Sequence, residues 1–220
     1  FPRWQVGVVA KADSPAWALV QRADAWPADL VVVGSHSHSV LERFFLGSVS
    51  QRVLAEARCS VRIGRARAGR TGPPRILVAV DGSEDAQAAV KSLAARTWPE
   101  GTRFEALTVF EARLVAVAWP AVYAEQWAAK GARDLRGWAG EMAESAVRLL
   151  REQGHAVELH LLEGDPKKLL LGQAEALGAD CVVMGARGMQ HGSRYRLGTL
   201  AAAVAERAPC SVEIIRPRPA

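Results

Sequence analysis

The chain is 220 residues long, half of them apolar, and carries a formal net charge of +5. That length and apolar content suit one large or two modest packed domains, and no apolar run approaches the roughly 18–20 residues that cross a membrane. Cys59, Cys181 and Cys210 show no C-x-x-C or other metal spacing, so they read as buried, reduced thiols in a cytoplasmic protein.

The start of the chain copies its end. Shifted by 151 positions, the first 63 residues fall on residues 152–214 without a gap. Pro15 meets Pro166, Asp29 meets Asp180, Gly34 meets Gly185, Arg43 meets Arg194, and Cys59-Ser60-Val61 meets Cys210-Ser211-Val212. A period this long means tandem domains, because solenoid repeats are several-fold shorter. The first repeat is therefore expected to supply a third strand at about residues 4–11, a helix opening at Pro15 and a fourth strand ending at Gly34. A loop reaching Gly47-Ser48, a further helix and a fifth strand complete it. Residues 74–151 have no upstream counterpart, and the chain opens on Phe1. The expectation is a piece of a longer two-domain protein: a truncated domain over residues 1–66, a linker over 67–73 and a complete domain over 74–217. Arg62, Arg65, Arg67, Arg70 and Arg75 gather around the linker. No stacking aromatics or reading helix accompany them, so they read as a solvated connector, with neither nucleic acid nor membrane as partner.

In the second repeat, Arg75–Val80 is a buried-type strand. It ends in the turn Asp81-Gly82-Ser83, where Ser83 can cap a helix whose first turn holds Glu84 and Asp85. Ala86, Ala89, Val90 and Leu93 share one face of that helix. Phe104–Phe110 is the second strand. A helix from about Val122 to Gln153 follows, with Leu135, Trp138, Met142, Ala146 and Leu149 as its apolar stripe and Gly154 as its stop. Ala156–Leu162 is the third strand, Asp165-Pro166 starts the next helix, and Gly178 ends it. Cys181–Gly185 is the fourth strand. A glycine-rich loop leads to a helix over about Leu200–Arg207, and Ser211–Arg216 is the fifth strand. Alternating strands and helices argue for a doubly wound parallel sheet, covered on both faces.

The chemistry concentrates after the fourth strand, in Gly185-x-x-Gly188, nine further residues, and Gly198-Thr199. Glycines let backbone N–H groups close on an anion, and the helix start adds partial positive charge. The spacing is neither G-x-x-x-x-G-K-[ST] nor G-x-G-x-x-G. In an open parallel sheet, ligands sit beyond the strand C-termini where the winding reverses. If the first and fourth strands are neighbours, Asp81 faces the glycine loop. An acid there suits ribose hydroxyls or a magnesium ion. Arg187 could steady a phosphate by a charge-assisted bond, and so could Arg194. Val80, Val109 and Met184 could flank a flat base or be plain core.

Three motifs carry a family resemblance: the opening Ile76-Leu-Val-Ala-Val-Asp81-Gly-Ser83, the glycine frame, and the closing Ala208-Pro-Cys-Ser-Val-Glu-Ile-Ile215. The second repeat resembles a universal stress protein domain, and the chain resembles the tandem form with its first half cut short. The resemblance implies a five-stranded parallel sheet ordered 3-2-1-4-5 and binding of ATP, or of AMP, with or without Mg2+. It also implies pairing through the fifth strands, as a homodimer or an intramolecular pseudo-dimer. It places Asp81 and Val109, with Met184 beside them, at the nucleoside, and Gly185, Arg187, Gly188, Gly198 and Thr199 at the phosphates. The role implied is regulatory, in a stress response, with no catalytic residue assigned. A slow ATPase or self-phosphorylating enzyme and a ligand-free dimerisation module stay open as alternatives.

The first repeat departs from this pattern, with Ser37 where Gly188 stands. If that backbone needs positive φ, serine costs roughly 1 kcal/mol or more, so no independent site is assigned there. In the order 3-2-1-4-5, the absence of strands one and two also separates its third strand from its fourth. This half should fray, or re-pair its strands with each other or with the second repeat. His36 and His38 read as loop histidines rather than zinc ligands, and Trp119, Trp127 and Trp138 as packing residues.

Overall fold

The computed structural model describes residues 5–35, 46–65, 71–110, 124–188 (124–135 as backbone) and 197–217. Its elements are α1 (Pro15–Ala25), β1 (Leu30–Gly34), α2 (Ser48–Glu56), β2 (Ser60–Gly64), β3 (Arg75–Ala79), α3 (Glu84–Ala94) and β4 (Arg103–Phe110). There follow α4 (Ala124–Glu152), β5 (Ala156–Glu163), α5 (Pro166–Ala176), β6 (Cys181–Gly185), α6 (Thr199–Arg207) and β7 (Ser211–Ile215). The strands form one seven-stranded sheet in the order β1-β2-β7-β6-β3-β4-β5. All neighbours run parallel except β2 and β7. Counted within the second repeat alone, this order is 3-2-1-4-5.

Local chemistry explains most boundaries. Ser83 Oγ accepts from the Ala86 N–H at 3.2 Å, and Asp165 Oδ1 accepts from the Lys168 N–H at 2.9 Å, each occupying a donor the helix start leaves free. Gly154 and Gly178 take φ of 82° and 59° just past their helices, a region only glycine enters cheaply. Along α4 the buried stripe is Ala139, Ala143, Val147 and Leu150. It lies one residue beyond the expected stripe, and Trp138 is half exposed. Small alanines let the helix lie close to the sheet, which puts Met142, Ala146 and Leu149 on the margin. Among the described residues Trp98 packs edge-on to Phe104, at 5.4 Å between ring centroids.

Two apolar layers sandwich the sheet. One lies under α1, α2, α5 and α6 and runs through both repeats, joining Val53, Leu54 and Ile63 to Val182, Val204 and Ile214. The other lies under α3 and α4 and joins Val78, Leu93, Phe104, Leu150 and Val183, with no first-repeat residue among those described. Burying each such side chain favours the fold by roughly 1.5–3 kcal/mol.

The first repeat differs from expectation at its start. Residues 5–11 form no strand, and Val6 and Val8 are 84% and 94% exposed. The counterpart, β5, pairs with β4 along its whole length. An extended segment without a neighbour leaves its backbone groups to water and has no ladder to join. The rest of the repeat does re-pair: β1 joins β2, and β2 joins β7.

The junction is built about a local two-fold axis. Val61 faces Ile214, Arg62 faces Glu213 and Ile63 faces Val212. Arg62 and Glu213 are equivalent positions, 151 residues apart. The Arg65 N–H donates to Ser211 Oγ at 3.1 Å, and the Arg216 N–H donates to Ser60 Oγ at 3.2 Å. The Arg65 guanidinium caps α6 at the Ala205 and Glu206 carbonyls (2.6 and 3.0 Å), while Arg216 caps α2 at the Leu54 carbonyl (2.5 Å). Arg75 donates to the Leu177 carbonyl at 2.9 Å. Arg62, Arg65 and Arg75 are thus structural pins and not a solvated connector; Arg67 and Arg70 lie outside the described residues. Fully buried Glu213 accepts from Arg62 Nε at 2.7 Å and from Arg96 Nη1 at 3.1 Å. Burial pushes this carboxyl up, but the hydrogen bond and charge of Arg96 and the charge of Arg62 outweigh it and hold it below the usual carboxylate range.

Candidate functional site

β3 lies between β4 and β6, so the first and fourth strands of the second repeat are neighbours. Asp81 follows β3 in a turn that Gly82 makes with φ of 83°. Its Oδ1 accepts from the Ser83 N–H at 3.0 Å and from Ser83 Oγ at 2.6 Å. Ser83 Oγ also lies 3.3 Å from the Arg187 carbonyl. The turn after β3 therefore touches the loop after β6. Across that contact, a Cβ built on Gly188 would stand 2.8 Å from Asp81 Oδ2. Gly188 is not among the positive-φ glycines, so left-handed backbone is not what makes it glycine. A side chain there would press on the end of the Asp81 carboxylate, which would have to turn away from the loop.

Gly185 ends β6 against the start of α3. A Cβ on it would meet Asp85 Cβ at 2.6 Å and the Ala86 nitrogen at 2.9 Å. Asp85 itself is only 2% exposed. Its Oδ2 accepts from the Arg187 backbone N–H (3.1 Å) and Nε (2.9 Å), and its Oδ1 accepts from Nη2 (2.5 Å). The hydrogen bond to Asp85 holds Arg187 above the usual guanidinium range. The arginine expected at a phosphate therefore has its guanidinium engaged by Asp85 and acts as a clamp between the loop and α3. The sequence offered no local cue, because the partners stand 102 residues apart. Asp85 read only as a first-turn acid that suits the helix dipole.

The loop closes where the Gly198 N–H donates to the Ala186 carbonyl at 2.8 Å. Gly198 is the N-cap of α6, and Thr199 is exposed on its first turn. Val109 lies on β4 two residues beyond the Ala79–Leu107 pair, level in sequence with Asp81, which is two residues past the end of β3, and is partly buried. Met184 is 5% exposed within the sheet's first apolar layer, so it supports the crevice from beneath. The structure thus gathers Asp81, Gly185, Arg187, Gly188 and Gly198 at one strand-end crevice, with Thr199 on α6's first turn and Val109 on the next strand. Arg194, His191, Ser37, His36 and His38 lie outside the described residues, as do Trp119 and the Trp127 side chain. A second polar group went unread in the sequence. Buried Glu105 on β4 lies 2.9 Å from His160 Nε2 on β5, and Glu158 brings a third ligand atom within 4.8 Å.

A family model described as the universal stress protein family matches residues 5–65 and 73–216. A universal stress protein of Mycobacterium tuberculosis (strain H37Rv) is 45% identical over 65 residues, which cover 30% of this chain and 21% of the relative. The matched stretch is thus about a fifth of that protein's length. Among solved structures, a universal stress protein of Archaeoglobus fulgidus DSM 4304 aligns with a TM-score of 0.59 at 22% identity, over 92% of this chain and 65% of that one. A Pseudomonas aeruginosa PAO1 protein described as functionally unknown aligns with a TM-score of 0.61 at 16% identity, over 94% and 69%. At these identities the solved structures speak for the fold.

Proposed function

This chain belongs to the universal stress protein family, and on that premise we propose that its second repeat binds an adenine nucleotide, ATP or AMP, as a regulatory ligand in the cytoplasm. The observation that carries the proposal is the 2.8 Å approach between Asp81 Oδ2 and the place a Gly188 side chain would occupy. An acid and a glycine loop face each other at the C-terminal ends of adjacent parallel strands, where this class of sheet holds ligands. Asp81 repels phosphate and suits ribose hydroxyls or a nucleotide-bound magnesium ion. The phosphates go to the backbone at Gly188 and to the start of α6 at Gly198 and Thr199, where the helix dipole favours an anion. The Gly198 N–H is itself held by the Ala186 carbonyl, so Gly198 contributes close backbone approach and the first turn of α6 contributes the donors. Val109 flanks the base. Gly185 and Arg187 keep the loop against α3, and Met184 backs it. Of the two assemblies expected through the fifth strands, we take the intramolecular pseudo-dimer, because β2 already occupies the edge of β7.

Calorimetric titration with ATP, with and without magnesium, tests this reading. Gly188→Val should weaken binding at least tenfold, about 1.4 kcal/mol, while the melting temperature stays within a few degrees. Asp81→Asn should lose most of any magnesium dependence. Unchanged affinity in Gly188→Val would remove the loop from the site.

A further inference from the structure

We infer that the charge pair on the junction axis is a pairing code, by which β7 accepts the first repeat's β2 and disfavours a second β7. The other contacts cannot tell the repeats apart. Val61 and Ile63 of β2 occupy the places of Val212 and Ile214 of β7. Ser60 and Arg65 exchange the same bonds with the second repeat that Ser211 and Arg216 exchange with the first. Two β7 strands from two chains would reproduce all of them, since a two-fold interface pairs every residue with its symmetry mate's partner.

The residue on the axis is the exception, because there a strand meets its own equivalent. In the β2–β7 pair, Arg62 meets Glu213, and the carboxylate lies between the guanidinium groups of Arg62 and Arg96. In a β7–β7 pair, Glu213 would meet Glu213. Each carboxylate would keep its own Arg96, exchange Arg62 for a second carboxylate, and do so where Glu213 is fully buried. Two β2 strands would set Arg62 against Arg62. Like charges facing each other out of water are strongly disfavoured, whereas a carboxylate bonded by two guanidinium groups is satisfied. A contact that discriminates by repulsion against the wrong partner is how otherwise identical surfaces acquire specificity. The fifth-strand edge of this chain is therefore addressed to its own first repeat and not to homodimerisation.

The whole chain serves as the test. Glu213→Arg sets three arginines at the axis, and Arg62→Glu sets two carboxylates there. Each should lower the melting temperature, by about 10 °C for Glu213→Arg and less for Arg62→Glu, and neither should dimerise alone. The double variant R62E/E213R reverses the pair, so that opposite charges again face each other across the axis. Arg96, which bonds position 213, then stands beside a like charge, so the double variant should recover part of the loss and be more stable than Glu213→Arg. Mixed in equal amounts, the two single variants should form a heterodimer of twice the chain mass by light scattering, because each β2 then finds a complementary β7 in the other chain. A homodimer of either single variant would overturn the inference. So would a double variant no more stable than the worse single one. If Glu213→Arg does not fold alone, the double variant still decides: its recovery supports the code and its failure removes it.

Discussion

Gly34 and Gly185 end equivalent strands, yet only one of them is crowded. A Cβ on Gly34 would meet nothing within 4 Å, whereas one on Gly185 would run into the backbone of α3. Both loops then return to a glycine N-cap of nearly the same shape, with φ and ψ of −61° and 152° at Gly47 and −67° and 153° at Gly198. The strand and the glycine-capped helix are thus common to both repeats. The acid turn and the start of α3 are present in one. A glycine frame is a backbone form; it becomes a candidate site where Asp81 and Asp85 are brought against it.

The largest expected effect breaks that comparison directly. Gly185→Ala should destabilise the chain by about 1–3 kcal/mol, because the new methyl group has backbone in its way and the packed neighbours must move. Gly34→Ala should be neutral or slightly stabilising, since the strand gains a residue with less freedom to lose. Paired thermal melts check both, and equal losses in the two variants would mean that the crowding at Gly185 is not real.

Acid sharpens the comparison at the axis, where the repeats differ in charge. Glu213 has its carboxyl held below the ordinary value of 4.5. Its contribution is therefore fully present above that value, and it is lost as pH falls through the lower folded value. Stability should thus be insensitive to Glu213 from neutrality down to about pH 5 and should fall steeply below 4.5. Glu213→Gln should be less stable at neutral pH and lack that share of the acid loss. Parallel acid dependence in the two proteins would show that the carboxylate adds nothing to the junction.

Most of the second repeat was legible in the sequence because its elements are written locally. Asp165-Pro166 and Ser83 announce helix starts, and the apolar runs of β3 and β6 need no distant partner to be recognised. The crevice was legible to the extent that Asp81 and the glycine frame sit at strand ends. What stayed hidden was tertiary. Asp85 takes Arg187, and Glu213 takes Arg62 and Arg96, across more than a hundred residues each. The misread strand at residues 5–11 has the same origin. Its apolar residues suit a strand, but a strand exists only beside another, and the stretch before it holds no counterpart of β4, the one strand that β5 pairs with.

The smallest effect concerns two thiols that the repeats place identically. Cys59 and Cys210 precede β2 and β7, yet Cys210 is 1% exposed while Cys59 is half-buried beside a groove that Arg62, Lys91 and Trp98 also line. Burial raises the Cys59 thiol above its ordinary range, partly offset by a backbone hydrogen bond and by Arg216. In the interior of the second repeat, burial pushes the Cys181 thiol up to about 12. Alkylation proceeds through the thiolate and requires access, so both conditions favour Cys59 over Cys181, and access favours it over Cys210. Native protein treated with iodoacetamide near about pH 8 should carry its first label on Cys59, with Cys181 and Cys210 following only in denaturant. Peptide mass mapping decides. Cys210 labelled as fast as Cys59 in the folded chain would mean that the flank of the second repeat is as open to solvent as that of the first.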